Sequence, residues 1–355
     1  MKKIKIMLGA YFNNANAQNI NCKNIALNLD KEKFEVHGLY ISDEPIDKEF
    51  YKEKGIILHR VSANKYLKFL WTYTKLLAFK NADCDIYYLP KIEKADIKFA
   101  EKYGKKVCTI SSVEGVITET CGNTDFFRSY YLEKTYRTFS ISNCIAESVK
   151  KFFGADTKVI SLGVNRIDGC EIKRSLKNVI WAGSFIERKK PKSLIECAKA
   201  FPDLSFVMIG DGELMDDIKK TISYYGLKNV TLTGRISNDS VYEYMKNSDL
   251  LLLTSEDEGL PKVIQEASEC CVPSVYINKC YTVDFITNGV NGYGVKDVDE
   301  MIDTVRLLKD NSEKLSELST KAKELIKDYE WSALIKQYET FFFDTLKQFE
   351  DEYKK

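Results

Sequence analysis

Histidine is almost missing from this sequence: His37 and His59 are the two among 355 residues, and both lie inside strand-like runs, where they read as structural. None of the ten cysteines forms a C-x-x-C pair, which argues against a zinc ribbon or a redox pair. Several sit instead in apolar runs such as CTIS and ECCVPSVYI, the setting of buried free thiols. Neither a zinc-finger spacing nor a basic-helix block occurs, and the net charge is +1, so no global field favours nucleic acid. No apolar run reaches the length of about 18 residues needed to span a bilayer. The opening MKKIKIMLGAY is too short in its apolar part for a signal peptide. A reducing cytoplasm is the expected location.

What is present is alternation. Strand-like runs at 4–11, 35–42, 55–61, 85–90, 106–111 and 138–142 are separated by helix-period segments at 17–29, 65–80, 93–103 and 125–137. The pattern restarts with strands at 178–183, 204–210, 229–234, 249–255 and 272–277. Helices are expected there at 191–200, 213–225, 239–247, 261–270, 298–309 and 312–327. Continuous apolar strands alternating with helices mean parallel sheets covered on both faces. Two such series predict an α/β chain of two Rossmann-like, doubly wound domains. Ligands of such sheets bind beyond the strand C-termini where the strand order reverses. Residues 163–177 are polar and carry two glycines, and read as the connection.

The stretch DLLLLTSEDEGLPKVIQEASECCVPSVYI (249–277) carries most of the chemistry. A buried strand runs into an acidic loop, Glu256 to Glu258, then Gly259, Leu260 and Pro261. Proline suits a helix start, and first-turn amides with the helix dipole favour an anion. Glu258 lies in the loop, and Glu266 about one and a half turns into the helix. Carboxylates so placed accept hydrogen bonds from vicinal hydroxyls at two ends of one ligand, with phosphate between. That describes a sugar nucleotide. The same E-x(7)-E spacing also fits a surface helix with scattered glutamates.

TSEDEGLPKVIQEASECCVPSV resembles the donor-site signature of glycosyltransferase family 4, whose fold is GT-B. FSISNCIAESVKKFFGADTKVISLGVN, WAGSFIERKKPKSLIECAKAFPDLSFVMIGDGEL, NVTLTGRISNDSVYEYMKNSDLLLLTSEDEG and ITNGVNGYGV resemble other segments of that family, in order. The resemblance covers residues 139–335 well and the first 138 loosely. It implies two Rossmann-like domains facing across a cleft. The acceptor domain would be 1–163, the donor-nucleotide domain 164–335, and residues 336–355 a helix returning to the first domain. Trp331 and Phe341 to Phe343 would be packing residues.

The resemblance also implies roles. Glu258 would hold donor-sugar hydroxyls and Glu266 the ribose. Amides of Gly259, Leu260, Pro261's neighbour Lys262, and Val263 would touch sugar and phosphate. Lys189, with Arg188 beside it, would bind the diphosphate, and Gly234 and Arg235 would line the base pocket. Four departures stand out. Ser184 replaces an arginine of the family, and Lys190 replaces a glycine. The family's glycine-rich first loop is FNNANAQNINCKN here, where Asn13 to Asn19, Asn16 included, either line the cleft or serve as a polar turn and helix cap. Glu114 in TISSVEG stands where many members carry a histidine, and is either acceptor-side or structural.

GDGEL (Gly210, Gly212) is a fragment of a dinucleotide fingerprint with Met215 in the third glycine's place, which argues against an NAD enzyme. In residues 64–80, Tyr66, Phe69, Leu70, Tyr73, Leu76 and Leu77 repeat at helical spacing among Lys65, Lys68, Lys75 and Lys80. This is either a buried helix face or a basic aromatic face touching the inner membrane surface or a lipid-linked acceptor.

The resulting expectation is a retaining, metal-independent transferase needing no cofactor. It would move a hexose-type unit from a UDP- or GDP-sugar to a saccharide or lipid-linked saccharide in cell-surface polysaccharide synthesis. Helix amides and Lys189 would hold phosphate, since no D-x-D pair sits in a donor loop. Two rivals are a sugar-nucleotide epimerase on the same architecture and a non-catalytic sugar-nucleotide-binding subunit of a partner transferase.

Overall fold

Short β-branched and leucine-rich runs become the strands of two parallel sheets in the computed structural model, which describes residues 2–14, 16–62, 68–118, 124–278 and 283–353. The chain divides into two units, Met1–Gly163 with Trp331–Lys355, and Val164–Glu330.

In the first unit the described strands are β1 (Ile4–Tyr11), β2 (Phe34–Ile41), β3 (Ile56–Val61), β4 (Ile86–Tyr88), β5 (Cys108–Val113), β6 (Arg137–Ser140) and β7 (Lys158–Val159). Their order is β3-β2-β1-β4-β5-β6-β7, all parallel, so the order reverses between β1 and β4. In the second unit they are β8 (Asn178–Ala182), β9 (Ser205–Ile209), β10 (Val230–Gly234), β11 (Leu250–Leu253), β12 (Ser274–Ile277) and β13 (Gly292–Val295). Here the order is β10-β9-β8-β11-β12-β13, again parallel, and the reversal falls between β8 and β11. Leu250 to Leu253 are all fully buried, as a central parallel strand requires. Trp181, Phe206, Met208, Leu250, Leu252 and Val275 meet in one core, each large side chain contributing about 1.5–3 kcal/mol by burial. This is the GT-B set of two parallel-sheet α/β domains.

The boundaries differ from the sequence reading in two places. The second unit ends at Glu330 rather than 335, because Trp331 opens a continuous helix, Trp331–Tyr353, whose aromatic face packs on the first unit's sheet. Phe341 meets Phe139 at 5.4 Å between centroids, and the Tyr338 hydroxyl donates to the Ser161 carbonyl at 3.0 Å. Nor is 163–177 a free connection. Val164 bridges Glu330, the Lys173 amide donates to Ser319 at 2.9 Å, and the Lys173 side chain is buried. The polar composition there serves hydrogen bonds to the second unit.

The helix Lys68–Ala82 sits opposite to a buried aromatic stripe. Phe69, Tyr73 and Leu77 are exposed, while Lys75, Ala78, Phe79 and Ala82 face inward. Lys75 is fully buried between Asp96 at 2.8 Å and Glu93 at 3.0 Å, and Tyr11 donates to Glu93 at 2.7 Å. Burial pushes the Asp96 carboxyl up to about 7 against the pull of Lys75. Lys65 and Tyr66 lie outside the described residues.

His37 and His59 form one short chain across β2 and β3, with ring nitrogens 2.8 Å apart and Glu35 at 3.0 Å from His37. Burial, then the neighbouring His37, brings His59 down to about 4. The eight described cysteines are free thiols, six of them buried.

Candidate functional site

Since β8 and β11 are adjacent and parallel, the loops leaving their C-terminal ends meet over the reversal point. The β8 loop runs from Gly183 through Ser184 to a short 3-10 turn, Glu187–Lys189. Its end is stitched to the β11 loop from below. Buried Trp181 donates to Thr254 at 2.9 Å, Thr254 donates to the Lys189 carbonyl at 2.8 Å, and the Glu256 amide donates to the Arg188 carbonyl at 2.8 Å. Two backbone carbonyls held in this way leave the Arg188 and Lys189 side chains aimed at one place.

That place is Glu258, itself buried. Lys189 ion-pairs with Glu258 Oε1, and Arg188 reaches Glu258 Oε2 at 3.3 Å and Asp257 Oδ1 at 3.2 Å. Arg188 also donates to the Asp257 carbonyl at 2.6 Å. Partial burial pulls the Arg188 pKa down, but Glu258 and Asp257 outweigh it and hold the guanidinium above its ordinary value. Lys190 takes the left-handed conformation, φ 47° and ψ 52°, which explains why the resembling family keeps glycine there.

Gly259 and Leu260 carry the loop to Pro261, which caps the helix Lys262–Glu269 from outside rather than opening it. No acid lies in that helix's first turn. The Lys262 amide donates to the Leu260 carbonyl at 2.9 Å and Ile264 to Pro261 at 2.9 Å. The turn therefore uses two amides itself, while Val263 lies between them. Further along, Glu266 accepts a hydrogen bond from Tyr242 on the neighbouring helix Asn238–Lys246. Burial raises the Glu266 pKa, and Lys262 and Tyr242 oppose the rise.

Next to this lies a cavity of about 730 Å³ over β8, β9 and β10, lined by Gly183, Ser184, Gly210, Asp211, Arg235 and Val241, among others. Val241 adjoins Tyr242, so the cavity and Glu266 share one helix. Gly234 closes β10 with a positive φ of 70° and accepts from the Gly210 amide at 3.0 Å. Gly210 packs so close to the β8 loop that a Cβ there would lie 1.9 Å from the Gly183 oxygen. The GDG pair thus joins two strand ends, and no third glycine is needed.

In the first unit, Asn16 spends its side chain as a cap, accepting from the Asn19 amide at 2.9 Å. Asn13 binds the Ile41 backbone through both ends of its amide, at 2.8 and 2.9 Å, and Asn14 reaches Glu44. Of the two readings of that loop, turn and cap describes these side chains. Asn19 accepts from the Tyr11 amide at 3.0 Å and from Lys91 at 3.3 Å. Glu114 accepts from Ser112 at 3.0 Å and from Asn21 at 3.3 Å, at the end of β5.

Glu258, Lys189 and Arg188 thus converge, Arg235 lines the adjoining cavity, and Glu266 is linked to it through Tyr242, the chain neighbour of the cavity-lining Val241. Sequence reasoning missed Tyr242, Asp257, Thr254 and Trp181. Their pairings depend on which strands are neighbours, which no local pattern reveals.

Residues 171–325 match the family described as glycosyl transferases group 1. That match lies within the second unit. An uncharacterized glycosyltransferase of Methanocaldococcus jannaschii is 23% identical over 234 residues, 64% of this chain and 65% of its own length. An Escherichia coli UDP-Gal:alpha-D-GlcNAc-diphosphoundecaprenol alpha-1,3-galactosyltransferase is 30% identical over 169 residues, 43% of this chain and 42% of its own. The chain thus spans 42 to 65% of the length of these two curated relatives. The Anabaena HepE structure in complex with UDP-glucose superposes with a TM-score of 0.78 at 15% identity, over 96% of this chain and 100% of that one. The fold of that structure extends over 96% of this chain, including the first unit, which the group 1 match leaves out.

Proposed function

We propose that the protein is a retaining glycosyltransferase that takes a hexose from a UDP- or GDP-sugar and passes it to a saccharide or lipid-linked saccharide. The observation that carries this is the convergence of Lys189 and Arg188 on Glu258 at the β8/β11 reversal, beside a cavity lined by Arg235 and Val241. One fixed cation pair suits a diphosphate, and two carboxylates suit hydroxyls on either side of it. The UDP-glucose complex of the Anabaena neighbour and the UDP-galactose named for the E. coli relative favour a UDP-sugar. The lipid diphosphate in that relative's name favours a lipid-linked acceptor.

In this reading the nucleobase enters the cavity near Arg235, and the ribose hydroxyls donate to Glu266. The diphosphate displaces Glu258 from Lys189 and takes up both cations. Glu258, released, accepts from the sugar hydroxyls. As the bond from the anomeric carbon to the phosphate oxygen breaks, negative charge grows on the leaving diphosphate. Cations already in place stabilise that charge more than the ground state. Glu114, on the first unit, is proposed to face the acceptor. The reaction needs no metal in this account, because Lys189 and Arg188 supply the positive charge. Calorimetry with UDP and GDP tests the binding step, and lack of binding by both would refute the reading. Donor turnover should persist in excess chelator; turnover that returns only with manganese would overturn the role given to Lys189.

A further inference from the structure

Cys170 and Cys270 belong to distant segments of the second unit, yet their side chains are in hydrogen-bond contact. Cys270 caps the helix Lys262–Glu269, and its amide donates to the Glu266 carbonyl at 3.2 Å. Its side chain is fully buried. Cys170 follows Gly169, which has a positive φ of 74°. Its half-buried thiol borders a cavity of about 490 Å³ shared with Arg166, Lys323, Lys327 and Glu330. That thiol is held only by long bonds to the Ile167 and Asp168 carbonyls, at 3.7 and 3.8 Å.

The two segments are already fastened at this point. Buried Glu269 accepts from the Ile167 amide at 3.3 Å. Lys323 donates to the Glu269 carboxylate, to the Glu269 carbonyl at 2.9 Å and to the Ile167 carbonyl at 3.4 Å. A disulfide forms without backbone movement only where the fold has brought two cysteines together. Here an ion pair one residue before Cys270 and three residues before Cys170 does so in the reduced protein. The two thiols differ in access. Solvent reaches Cys170, while burial and then the neighbouring Cys170 raise the pKa of Cys270. An accessible cysteine backed by a second thiol is the arrangement in which the first is oxidised and the second resolves it. Cys271 adjoins both, but the hydrogen bond from Cys170 goes to Cys270.

We propose that Cys170 and Cys270 are a modification site, a thiol pair that a hydroperoxide converts to a reversible disulfide. The Cys170 sulfur attacks one peroxide oxygen, the O–O bond breaks, and the leaving hydroxide takes the thiol proton as water. Cys170 is then a sulfenic acid. The Cys270 sulfur attacks the Cys170 sulfur, the S–S bond forms, the S–O bond breaks, and the hydroxyl leaves with the Cys270 proton as a second water. The two sulfurs lose two electrons to the peroxide, and a dithiol reductant returns them. The bond closes a loop of about 100 residues, which holds β8 to β11 and the helix of Glu266, and a loop of that length removes much unfolded-state entropy. The site is independent of the donor reading.

The test treats the full chain with hydrogen peroxide, blocks remaining thiols with iodoacetamide and maps tryptic peptides without reduction. Peptide 167–173 should appear linked to the peptide that holds Cys270 and Cys271, and dithiothreitol should separate them. The link should persist in Cys271→Ser and vanish in Cys170→Ser and Cys270→Ser. The melting temperature of the wild type should rise by about 5 °C or more on oxidation, and that of Cys170→Ser should not. Circular dichroism reports folding; should Cys270→Ser not fold, the persistence of the link in Cys271→Ser decides. Absence of the link overturns the proposal, as does its loss in a folded Cys271→Ser protein. A wild type that accumulates sulfinic acid at Cys170 while Cys270 stays alkylatable also overturns it, as does a melting temperature lowered by oxidation.

Discussion

Lys189 and Glu258 neutralise each other in an enclosed ion pair, with 17 and 9% of their side chains exposed. The cation proposed for the diphosphate is therefore already engaged by the carboxylate proposed for the sugar, and donor binding has to exchange these partners.

Removing the charge at Glu258 should separate binding from turnover. Glu258→Gln frees Lys189 for phosphate, so UDP affinity measured by calorimetry should hold or tighten. Turnover should fall by about 10- to 100-fold, the worth of charged hydrogen bonds to the sugar. Weaker UDP binding together with normal turnover would show that Glu258 acts elsewhere.

Lys189→Ala should reduce kcat more than it weakens binding of the intact sugar nucleotide, because the cation acts on charge that grows as the bond breaks. Arg188→Ala should act in the same direction. Its effect should be smaller unless Arg188 fills the place left by Ser184, in which case the two should match. Steady-state kinetics against donor concentration distinguishes these outcomes, and unchanged kinetics in Lys189→Ala would remove this loop from the phosphate site.

Glu266→Gln should weaken nucleotide binding by about 1–3 kcal/mol, and Tyr242→Phe by about 1 kcal/mol. The raised pKa of Glu266 adds a pH signature. Affinity for UDP should begin to fall, on acidification, at a higher pH than an ordinary glutamate would produce, and Glu266→Gln should flatten that fall. Stability moves the other way. Between the unfolded and the raised folded pKa the folded protein holds the extra proton, so this residue favours folding as pH drops through that window.

Lys190 and Gly210 test the backbone of the same loop. Lys190→Gly relieves the left-handed strain at the cost of unfolded-state entropy, so melting should show a change from zero to about 1 kcal/mol in the stabilising direction. Gly210→Ala should cost at least about 2 kcal/mol and weaken UDP binding, because its Cβ drives into the Gly183 carbonyl.

Legibility in the sequence followed the range of the interactions. Continuous apolar runs such as Leu250 to Leu253 gave the strands, since burial on both faces leaves a one-dimensional mark. The edge strand β7, two residues long, and β13, with two glycines in four residues, left no such mark. Glu258, Glu266 and Lys189 were readable because each sits at a fixed offset from a strand or helix end. Tyr242 was not, because its bond to Glu266 depends on how two helices pack. The helix 68–82 stayed ambiguous: an aromatic stripe at helical spacing fits a buried face or an exposed one, and the inward Lys75, Ala78, Phe79 and Ala82 turn Phe69, Tyr73 and Leu77 outward.

The helix Trp331–Tyr353 sets an order of events during translation. Phe34 and Tyr88 rest on Phe342, at 6.4 and 6.3 Å between ring centroids, so the sheet of β1 to β7 waits for the helix Trp331–Tyr353 before its aromatic layer closes. Residues 164–330 are continuous and need no such return. On the ribosome, the unit begun first is finished second, and a stop codon within 331–353 would strand a half-built sheet beside a completed neighbour.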